Sequence, residues 1–287
     1  MTMESWQERA SILVEALPYI QIFRGKIALI KYGGSAMDDE NLKRGLMRDI
    51  ALLKCVGLKP LIVHGGGKEI NKWLDKSGLE TRFHRGLRVT TPETMEVVEM
   101  VLNRINKELV GLLGEFGVNA CGLSGRDGGL LRVRPRDIEN LGLVGAIASV
   151  DATILNYLID CDYVPIICPI GSLLDGGGQA YNINADEVAF SLAQAMRVEK
   201  LVFLSDVDGL YEDYDTKSGL ISELTASEAR RLMERGAVGG GMIPKLENSI
   251  RALEGGVSRV HIINGRIEHC LLLEFFTKAG IGTAILA

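Results

Sequence analysis

The chain has 287 residues, of which 47% are hydrophobic, and its formal net charge is -5. This length is sufficient for one large α/β domain or for two lobes. The negative charge and the lack of a dense basic run argue against nucleic acid as the main partner. No apolar stretch approaches the roughly 18 residues that a membrane span needs. The first six residues lack the features of a signal peptide, and the five cysteines stand singly in apolar surroundings, so we expect a cytoplasmic protein. The four histidines show no metal-ligand spacing.

The first 25 residues predict an amphipathic helix, because apolar residues recur at helical spacing from Trp6 to Ile20. Pro18 is expected to bend or interrupt it. A helix ahead of the first strand has no obvious place in a single core. The pattern leaves open whether it packs on a partner subunit or on its own domain.

From Lys26 onward, apolar runs alternate with helical patterns. The strands are predicted at 26–31, 60–64, 118–123, 163–168, 200–205, 258–263 and 283–286. The helices are predicted at 39–56, 67–77, 93–116, 151–160, 185–196, 226–235, 244–254 and 268–277. This alternation predicts an open, mainly parallel sheet that is sandwiched by helices. Such sheets bind ligands at the carboxyl ends of their strands, where Lys31, His64, Ser124 and Asp206 fall.

Two segments interrupt the alternation and are interpreted as hairpins that cover the site, at 82–91 and 129–148. A glycine-rich turn at 173–180 is of the same kind. It also marks the expected boundary between two lobes, 26–179 and 180–287.

Four segments combine glycines or a helix start with polar side chains: KYGGS (31–35), HGGG (64–67), NINAD (182–186) and GGGMIPK (239–245). Glycine lets main-chain N–H groups approach anionic oxygen closely, and a helix N-terminus adds positive partial charge. Neither the Walker pattern nor the dinucleotide pattern of glycines is present, which disfavours standard NTPases and NAD(P) enzymes.

Individual side chains in these segments suggest chemistry. Lys31 ends an apolar strand and Lys245 lies in the first turn of a helix, so both need an anionic partner such as a polyphosphate. Asp186 could anchor these lysines or simply complement its helix dipole. Arg88 suits a carboxylate that is held bidentately, and Asn182 can both donate and accept. Together they indicate an acceptor with a carboxylate and an amide or carbonyl.

The segments KYGG, VHGGG, GLRVT, YNINAD, SDVDGLY and GGGMIPK occur here in an order that resembles the amino acid kinase family, specifically its N-acetyl-L-glutamate kinases. The resemblance implies an eight-stranded sheet with an acceptor-binding lobe (26–179) and a nucleotide-binding lobe (180–287). It also implies transfer of the γ-phosphoryl group of ATP, as its Mg2+ complex, to the side-chain carboxylate of N-acetyl-L-glutamate in arginine biosynthesis.

The family pattern implies catalytic roles for Lys31 and Lys245, which would neutralise the transferring phosphoryl group, and for Asp186, which would orient them. No bound metal site of the chain's own is implied.

The residues matching the acceptor-binding pattern are Gly34, Gly66, Gly67, Arg88 and Asn182. The glycines would face phosphoryl or acceptor oxygen, Arg88 would grip the α-carboxylate, and Asn182 would bind the acetylamino group.

The nucleotide region of the family matches Asp206, Asp208, Gly209, Gly241 and Met242. From the residues alone, the SDVDGL segment (205–210) could hold ribose, adenine or a metal, or could be a β-turn with capping aspartates.

The C-terminal pattern around His269, Glu274 and Gly280 resembles kinases of this group that L-arginine inhibits. In those, N-terminal helices interlace dimers into a homohexamer, a trimer of dimers, near which arginine binds. We therefore expect feedback inhibition by arginine and an oligomerisation role for residues 1–25. Some members are also regulated by a PII-type protein, which the sequence leaves open.

The segment 102–107 looks one residue short of the common pattern, which predicts an irregularity in the helix 93–116. Competing interpretations are an amino acid kinase acting on a modified aminoadipate, an aspartate or a carbamate, and a non-catalytic amino-acid sensor. Retention of both lysines and Asp186 argues against the sensor.

Overall fold

The structure of the chain is a computed structural model, and it describes residues 3–37, 39–213, 216, 218–236, 238–239, 242–277 and 280–287. The strands are β1 (Ile27–Tyr32), β2 (Lys59–His64), β3 (Phe83–His84), β4 (Leu87–Arg88), β5 (Ala120–Ser124), β6 (Leu131–Pro135), β7 (Gly145–Val150), β8 (Val164–Cys168), β9 (Ile170–Leu173), β10 (Ala180–Asn182), β11 (Lys200–Ser205), β12 (Leu210–Asp213), β13 (Ser218–Ile221), β14 (Glu223–Thr225), β15 (Arg259–Asn264) and β16 (Thr283–Leu286). The helices are α1 (Met3–Phe23), α2 (Glu40–Cys55), α3 (Gly67–Lys76), α4 (Pro92–Glu115), α5 (Ile138–Leu141), α6 (Thr153–Asp160), α7 (Ala185–Ala195), α8 (Ala226–Glu234), α9 (Ile243–Glu254) and α10 (Cys270–Phe276).

A central sheet of eight strands organises the molecule, in the order β14-β16-β15-β11-β1-β2-β8-β5. Its strands are parallel from β15 to β5, whereas β16 runs antiparallel to β15, and β14 runs parallel to β16. The open, mainly parallel sheet predicted from the alternation is therefore confirmed. Each strand and helix predicted after residue 26 is present, with its ends shifted by two residues at most.

Both faces of the sheet are covered, because side chains of one strand alternate between two cores. Ile30 packs into a core with residues of α2, α4 and α10, whereas Leu29 packs into the other with residues of α7 and α9. Both side chains are fully buried. The sheet is therefore a rigid platform, and its carboxyl edge is where loops can present chemistry.

Smaller sheets lie beside the central one. The predicted hairpin at 82–91 is formed by the antiparallel pair β3–β4. The predicted hairpin at 129–148 is formed by β6 and β7, with α5 inserted between them. The sequence did not predict β9 and β10, which pair around the glycine-rich turn and extend β6–β7 to a four-stranded sheet.

Two helices run without a break at the positions where the sequence leaves a break or an irregularity open. The first helix continues through Pro18, because a proline removes one donor and the turns on either side keep theirs. Similarly, α4 is a continuous α-helix, so the segment 102–107 causes no break. Among the described residues, no helix is long and apolar enough to cross a membrane.

Candidate active site

The strand register brings the predicted segments to one edge of the sheet. Tyr32 lies opposite His64 at the ends of β1 and β2, and Ser205 lies opposite Asn264 at the ends of β11 and β15. The loops that follow these strands therefore meet. This is the edge at which open α/β sheets bind ligands.

Lys31 and Asp186 form the ion pair at the centre of this edge. The Lys31 Nζ lies 2.8 Å from the Asp186 Oδ1, and the two side chains are 13% and 20% exposed. Asp186 lies in the first turn of α7, which the side chain of Asn184 caps by accepting the N–H of Asp186. The helix N-terminus stabilises the carboxylate, which in turn holds the ammonium.

Lys245 is the second lysine of the site and comes from the first turn of α9. Its Nζ donates to the Ser205 Oγ at 2.9 Å. Burial lowers the pKa of Lys245, the charges of Asp186 and Asp206 raise it, and the nearby Lys31 lowers it further. The two lysines therefore repel each other across one shared carboxylate, and an anionic ligand would relieve that repulsion.

A cavity of about 180 Å³ lies next to this cluster, and its lining includes Gly66, Gly67, Arg88 and Asn182. The structure thus brings together four of the five residues predicted to bind the acceptor. At Gly66 a Cβ atom would lie 2.8 Å from the Ile105 Cδ1 and 2.9 Å from the Leu102 Cδ2, so a larger residue would force these two side chains to move. The main chain can therefore lie directly against a ligand in this cavity.

Arg88 is 8% exposed and is partly anchored. Its Nη2 donates to the Gly67 carbonyl at 3.0 Å and to the Asn71 Oδ1 at 2.6 Å. Its Nη1 is buried and, within the described residues, has no hydrogen-bond partner. A buried, partly satisfied guanidinium is suited to a ligand carboxylate. Phe83 of the β3–β4 hairpin lies against the guanidinium, with 4.9 Å from the Cζ to the ring centroid.

Asn182 lies at the end of β10 and donates from its Nδ2 to the Thr90 Oγ1 at 3.2 Å. Gly34, the fifth predicted acceptor residue, does not line this cavity. It lines a neighbouring cavity of about 520 Å³ together with Gly66 and Gly67, and a Cβ there would be 2.8 Å from the Asp206 Oδ1. Gly34 therefore lies between the acceptor side and the loop after β11.

The loop after β11 holds the residues predicted to bind nucleotide. Asp206 also pairs with Arg266, 3.7 Å away. Asp208 accepts from the Asn264 Nδ2 at 2.8 Å and from the Tyr211 hydroxyl at 2.7 Å, so it supports the loop. At Gly209 a Cβ would lie 2.4 Å from the Thr283 Oγ1, which only glycine allows.

Two further nucleotide residues precede α9. Met242 is buried and donates its N–H to the Gly239 carbonyl at 2.8 Å. Gly241 lies outside the described residues.

Glu274 lies in a buried cluster on the other side of the sheet from the lysine pair. Its Oε1 is 2.9 Å from the Lys200 Nζ and 2.6 Å from the His261 Nδ1. Burial alone would raise the pKa of Glu274, but the His261 hydrogen bond and the Lys200 charge lower it to about 2. Burial also lowers the pKa of His261, so that ring is neutral at pH 7 and the lysine supplies the positive charge.

The three residues assigned to arginine binding divide into two places. Gly280 adjoins Glu274, because a Cβ there would lie 2.9 Å from the Glu274 Oε2. His269 pairs instead with the buried Asp49, 2.7 Å from its Nδ1.

Sequence reasoning missed several partners. The sequence pattern marks Ser205 only as the start of a turn segment, and it gives no role to Asn71 or Lys200. A lysine at the head of the apolar strand KLVFLS is a signal that could have been noticed, because a buried lysine requires a carboxylate.

Comparison with known proteins identifies the family. Residues 26–264 match the model of the amino acid kinase family. The acetylglutamate kinase of Campylobacter jejuni strain RM1221 is 53% identical over 283 residues, which cover 99% of this chain and 100% of that protein. The chain belongs to the acetylglutamate kinases of the amino acid kinase family.

Solved structures agree with this family. An N-acetylglutamate synthase from Neisseria gonorrhoeae, complexed with coenzyme A and N-acetyl-glutamate, superposes with a TM-score of 0.85 at 28% identity. The match covers 97% of this chain and 63% of that chain. A second structure of that synthase, with coenzyme A and L-arginine, has a TM-score of 0.82 at 26% identity and covers 96% of this chain and 65% of that one. The family's fold thus extends through almost the whole chain.

Proposed function

We propose that this protein transfers the γ-phosphoryl group of ATP to the side-chain carboxylate of N-acetyl-L-glutamate, yielding an acyl phosphate for arginine biosynthesis. The observation that carries the proposal is the group of Lys31, Asp186 and Lys245 beside an arginine-lined pocket. The 53% identity to an acetylglutamate kinase along the full chain supports the same activity.

In this proposal the acceptor occupies the cavity next to Arg88. The Nη1 of Arg88, which has no hydrogen-bond partner among the described residues, donates to the α-carboxylate, and Asn182 binds the acetylamino group. The main-chain N–H groups of Gly66 and Gly67 face the side-chain carboxylate. That carboxylate then points towards the two lysines.

The chemical step is an in-line displacement. A carboxylate oxygen forms a bond to the γ-phosphorus while the bond from that phosphorus to the β–γ bridging oxygen breaks, and ADP leaves with the electron pair. The attacking carboxylate is already ionised, so no general base is needed. Lys31 and Lys245 stabilise the charge on the phosphoryl oxygens, and Asp186 holds Lys31 in place.

The nucleotide lies against the loop after β11 in this proposal, with Asp206, Asp208, Gly209 and Met242 around it; Gly241 is proposed from the family pattern alone, since it lies outside the described residues. Within the described residues, no group of three or more His, Cys, Asp or Glu side chains could hold a metal ion. The lysine-rich edge fits a nucleotide that brings its own Mg2+, bound by phosphate oxygens and water, which would neutralise part of the phosphate charge.

Regulation by L-arginine is a second part of the proposal, with Glu274, Gly280 and His269 as the candidate residues. The synthase structure that holds L-arginine supports it, since that protein shares this fold at 26% identity. The exposed apolar side chains of α1, which include Ile12 at 65% and Leu13 at 74%, support an oligomerisation role, and the assembly we propose is a homohexamer. The unbridged cysteines agree with action in the reducing cytoplasm.

The test is coupled ADP release with MgATP and N-acetyl-L-glutamate, repeated with glutamate, aspartate, N-acetyl-aminoadipate and carbamate. Turnover that requires the N-acetylated five-carbon acid supports the proposal. Faster turnover of another carboxylate contradicts it, and so does the absence of any turnover by folded protein that binds ATP. Adding arginine to the same assay, together with sedimentation, tests regulation and the hexamer separately.

A further inference from the structure

His64 and Asn106 form a buried polar pair that takes no part in the lysine cluster. Both residues are fully buried. The Asn106 Nδ2 lies 3.2 Å from the His64 Nε2 and 2.9 Å from the Ile166 carbonyl oxygen. A carbonyl oxygen can only accept, so the amide nitrogen, not the amide oxygen, must face both partners.

This arrangement fixes the tautomer of the ring. Because the Asn106 amide donates to the His64 Nε2, the ring hydrogen must sit on the Nδ1. The Nδ1 in turn donates to the Gly65 carbonyl at 2.8 Å. Burial lowers the pKa of His64 to about 4, so the ring stays neutral at any pH at which the enzyme would work.

The bond to the Gly65 carbonyl also orients the next N–H. In a trans peptide the carbonyl and the following N–H point in opposite directions. Holding the Gly65 oxygen against the His64 ring therefore turns the Gly66 N–H away from it. Gly66 lines the acceptor cavity, and α4 contacts it through Leu102 and Ile105, the same helix that carries Asn106.

The amide side chain is held at a cost, which indicates that its orientation matters. The Asn106 Oδ1 is buried and has no hydrogen-bond partner in the described part of the chain. It points at Gly122, where a Cβ atom would lie only 1.9 Å away. An unsatisfied buried oxygen is unusual in a folded protein and calls for a reason.

We propose that Asn106 and His64 are positioning residues, which hold the Gly65–Gly66 peptide so that the Gly66 N–H faces the side-chain carboxylate of the acceptor. This inference rests on the proposed function, because it assumes that the acceptor occupies the cavity beside Arg88. Neither side chain touches the substrate itself.

The experiment compares two substitutions at one position. In His64→Asn the side-chain NH2 can take the place of the Nδ1–H, whereas in His64→Gln the amide reaches towards the Nε2 position. We expect His64→Gln to raise the KM for N-acetyl-L-glutamate about five- to tenfold, with the KM for ATP unchanged. His64→Asn should restore most of the lost affinity. A purely structural role would lower the melting temperature of both variants and give them the same KM for the acceptor. That result would overturn the proposal.

Nitrogen NMR of the ring tests the pair without substrate, because the chain has only four histidines. The His64 signal should report the Nδ1–H tautomer in the natural chain and lose it in Asn106→Asp, which cannot donate to the Nε2. An Nε2–H tautomer in the natural chain would contradict the positioning role. If the natural chain fails to phosphorylate N-acetyl-L-glutamate, the proposed function fails, and the tautomer still decides whether the pair exists as described.

Discussion

Two lysine–carboxylate pairs in this molecule have almost the same length and opposite characters. The Lys31–Asp186 pair measures 2.8 Å at the sheet edge, and the Lys200–Glu274 pair measures 2.9 Å in the interior. The first is 13% and 20% exposed, whereas each side chain of the second is 4% exposed.

Their surroundings explain the difference. At the edge, burial and the charge of Lys31 disfavour the ammonium of Lys245, and the charges of Asp186 and Asp206 offset this only in part, so its pKa remains lowered. In the interior, a neutral His261 donates to Glu274, and the charges of lysine and glutamate cancel. An unbalanced charge next to a cavity indicates binding, and a balanced charge within the core indicates stability.

The largest expected effect is on the unbalanced cluster. Replacing Lys245 with alanine should lower kcat about a hundred- to a thousandfold, because one of two charges on the transferring phosphoryl group is lost. Lys31→Ala should behave similarly. Single-turnover kinetics at saturating MgATP and acceptor would measure it.

The matched control is Lys26→Ala, whose side chain is 53% exposed and lies 3.6 Å from Glu199. It should leave kcat unchanged. If Lys245→Ala or Lys31→Ala keeps the single-turnover rate of the natural chain, the replaced lysine does not contribute to the chemical step.

The balanced cluster should respond in stability. Glu274→Gln leaves the buried Lys200 without its counter-charge, so the free energy of unfolding at pH 7 should fall by about 3 kcal/mol. Urea unfolding measures this value. The exposed Glu115→Gln is the control, since its carboxylate is 53% exposed and the change should stay within about 0.5 kcal/mol.

The same pair predicts a pH dependence. The folded-state pKa of Glu274, about 2, lies below its ordinary value of 4.5. The stabilisation is therefore complete above about pH 4.5 and is lost as the pH falls towards 2. The natural chain and Glu274→Gln should converge in stability across that window. A difference that stays constant with pH would show that charge is not what this glutamate contributes.

A third and smaller effect concerns the acceptor. Arg88 contacts Gly67 and Asn71 through its Nη2, and its Nη1 has no partner among the described residues and can bind a ligand. Arg88→Lys keeps the positive charge but cannot make both sets of contacts. The KM for N-acetyl-L-glutamate should rise about tenfold, and the KM for ATP should not change. Arg82→Lys, on the exposed part of the same segment at 58% exposure, is the control. If both variants have the same KM for the acceptor, Arg88 does not bind the α-carboxylate as proposed.

The sequence was sufficient for seven of the eight central strands and for the long helices between them, because long apolar runs alternate strongly with helical periods, but it did not predict the edge strand β14. It also placed Lys31 at the end of a strand and Asp186 in the first turn of a helix, and the packing of α7 on β1 brings the two together. It could not reveal that Ser205 binds Lys245 or that Lys200 binds Glu274, since those pairs are 40 and 74 residues apart and depend on crossovers. The short strands β9 and β10 were missed because three or four residues carry too little periodicity; β9 is held by pairing with β6, and β10 by pairing with β9.

The smallest predicted effect again uses the lysine cluster. Burial and the charge of Lys31 lower the pKa of Lys245, so this ammonium loses its proton at lower pH than an ordinary lysine. Because only the charged form stabilises the transferring phosphoryl group, kcat/KM for MgATP, which reports the pKa values of the free enzyme, should decline on the alkaline side before an unperturbed lysine would titrate. In Lys245→Arg the guanidinium stays charged throughout, so the remaining activity should lose that alkaline decline even if its absolute rate is lower. A pH profile of kcat/KM for MgATP in both forms measures this. If the arginine variant shows the same alkaline decline, the decline is caused by the titration of another group. Lys245 would then still stabilise charge, but its deprotonation would not limit the rate.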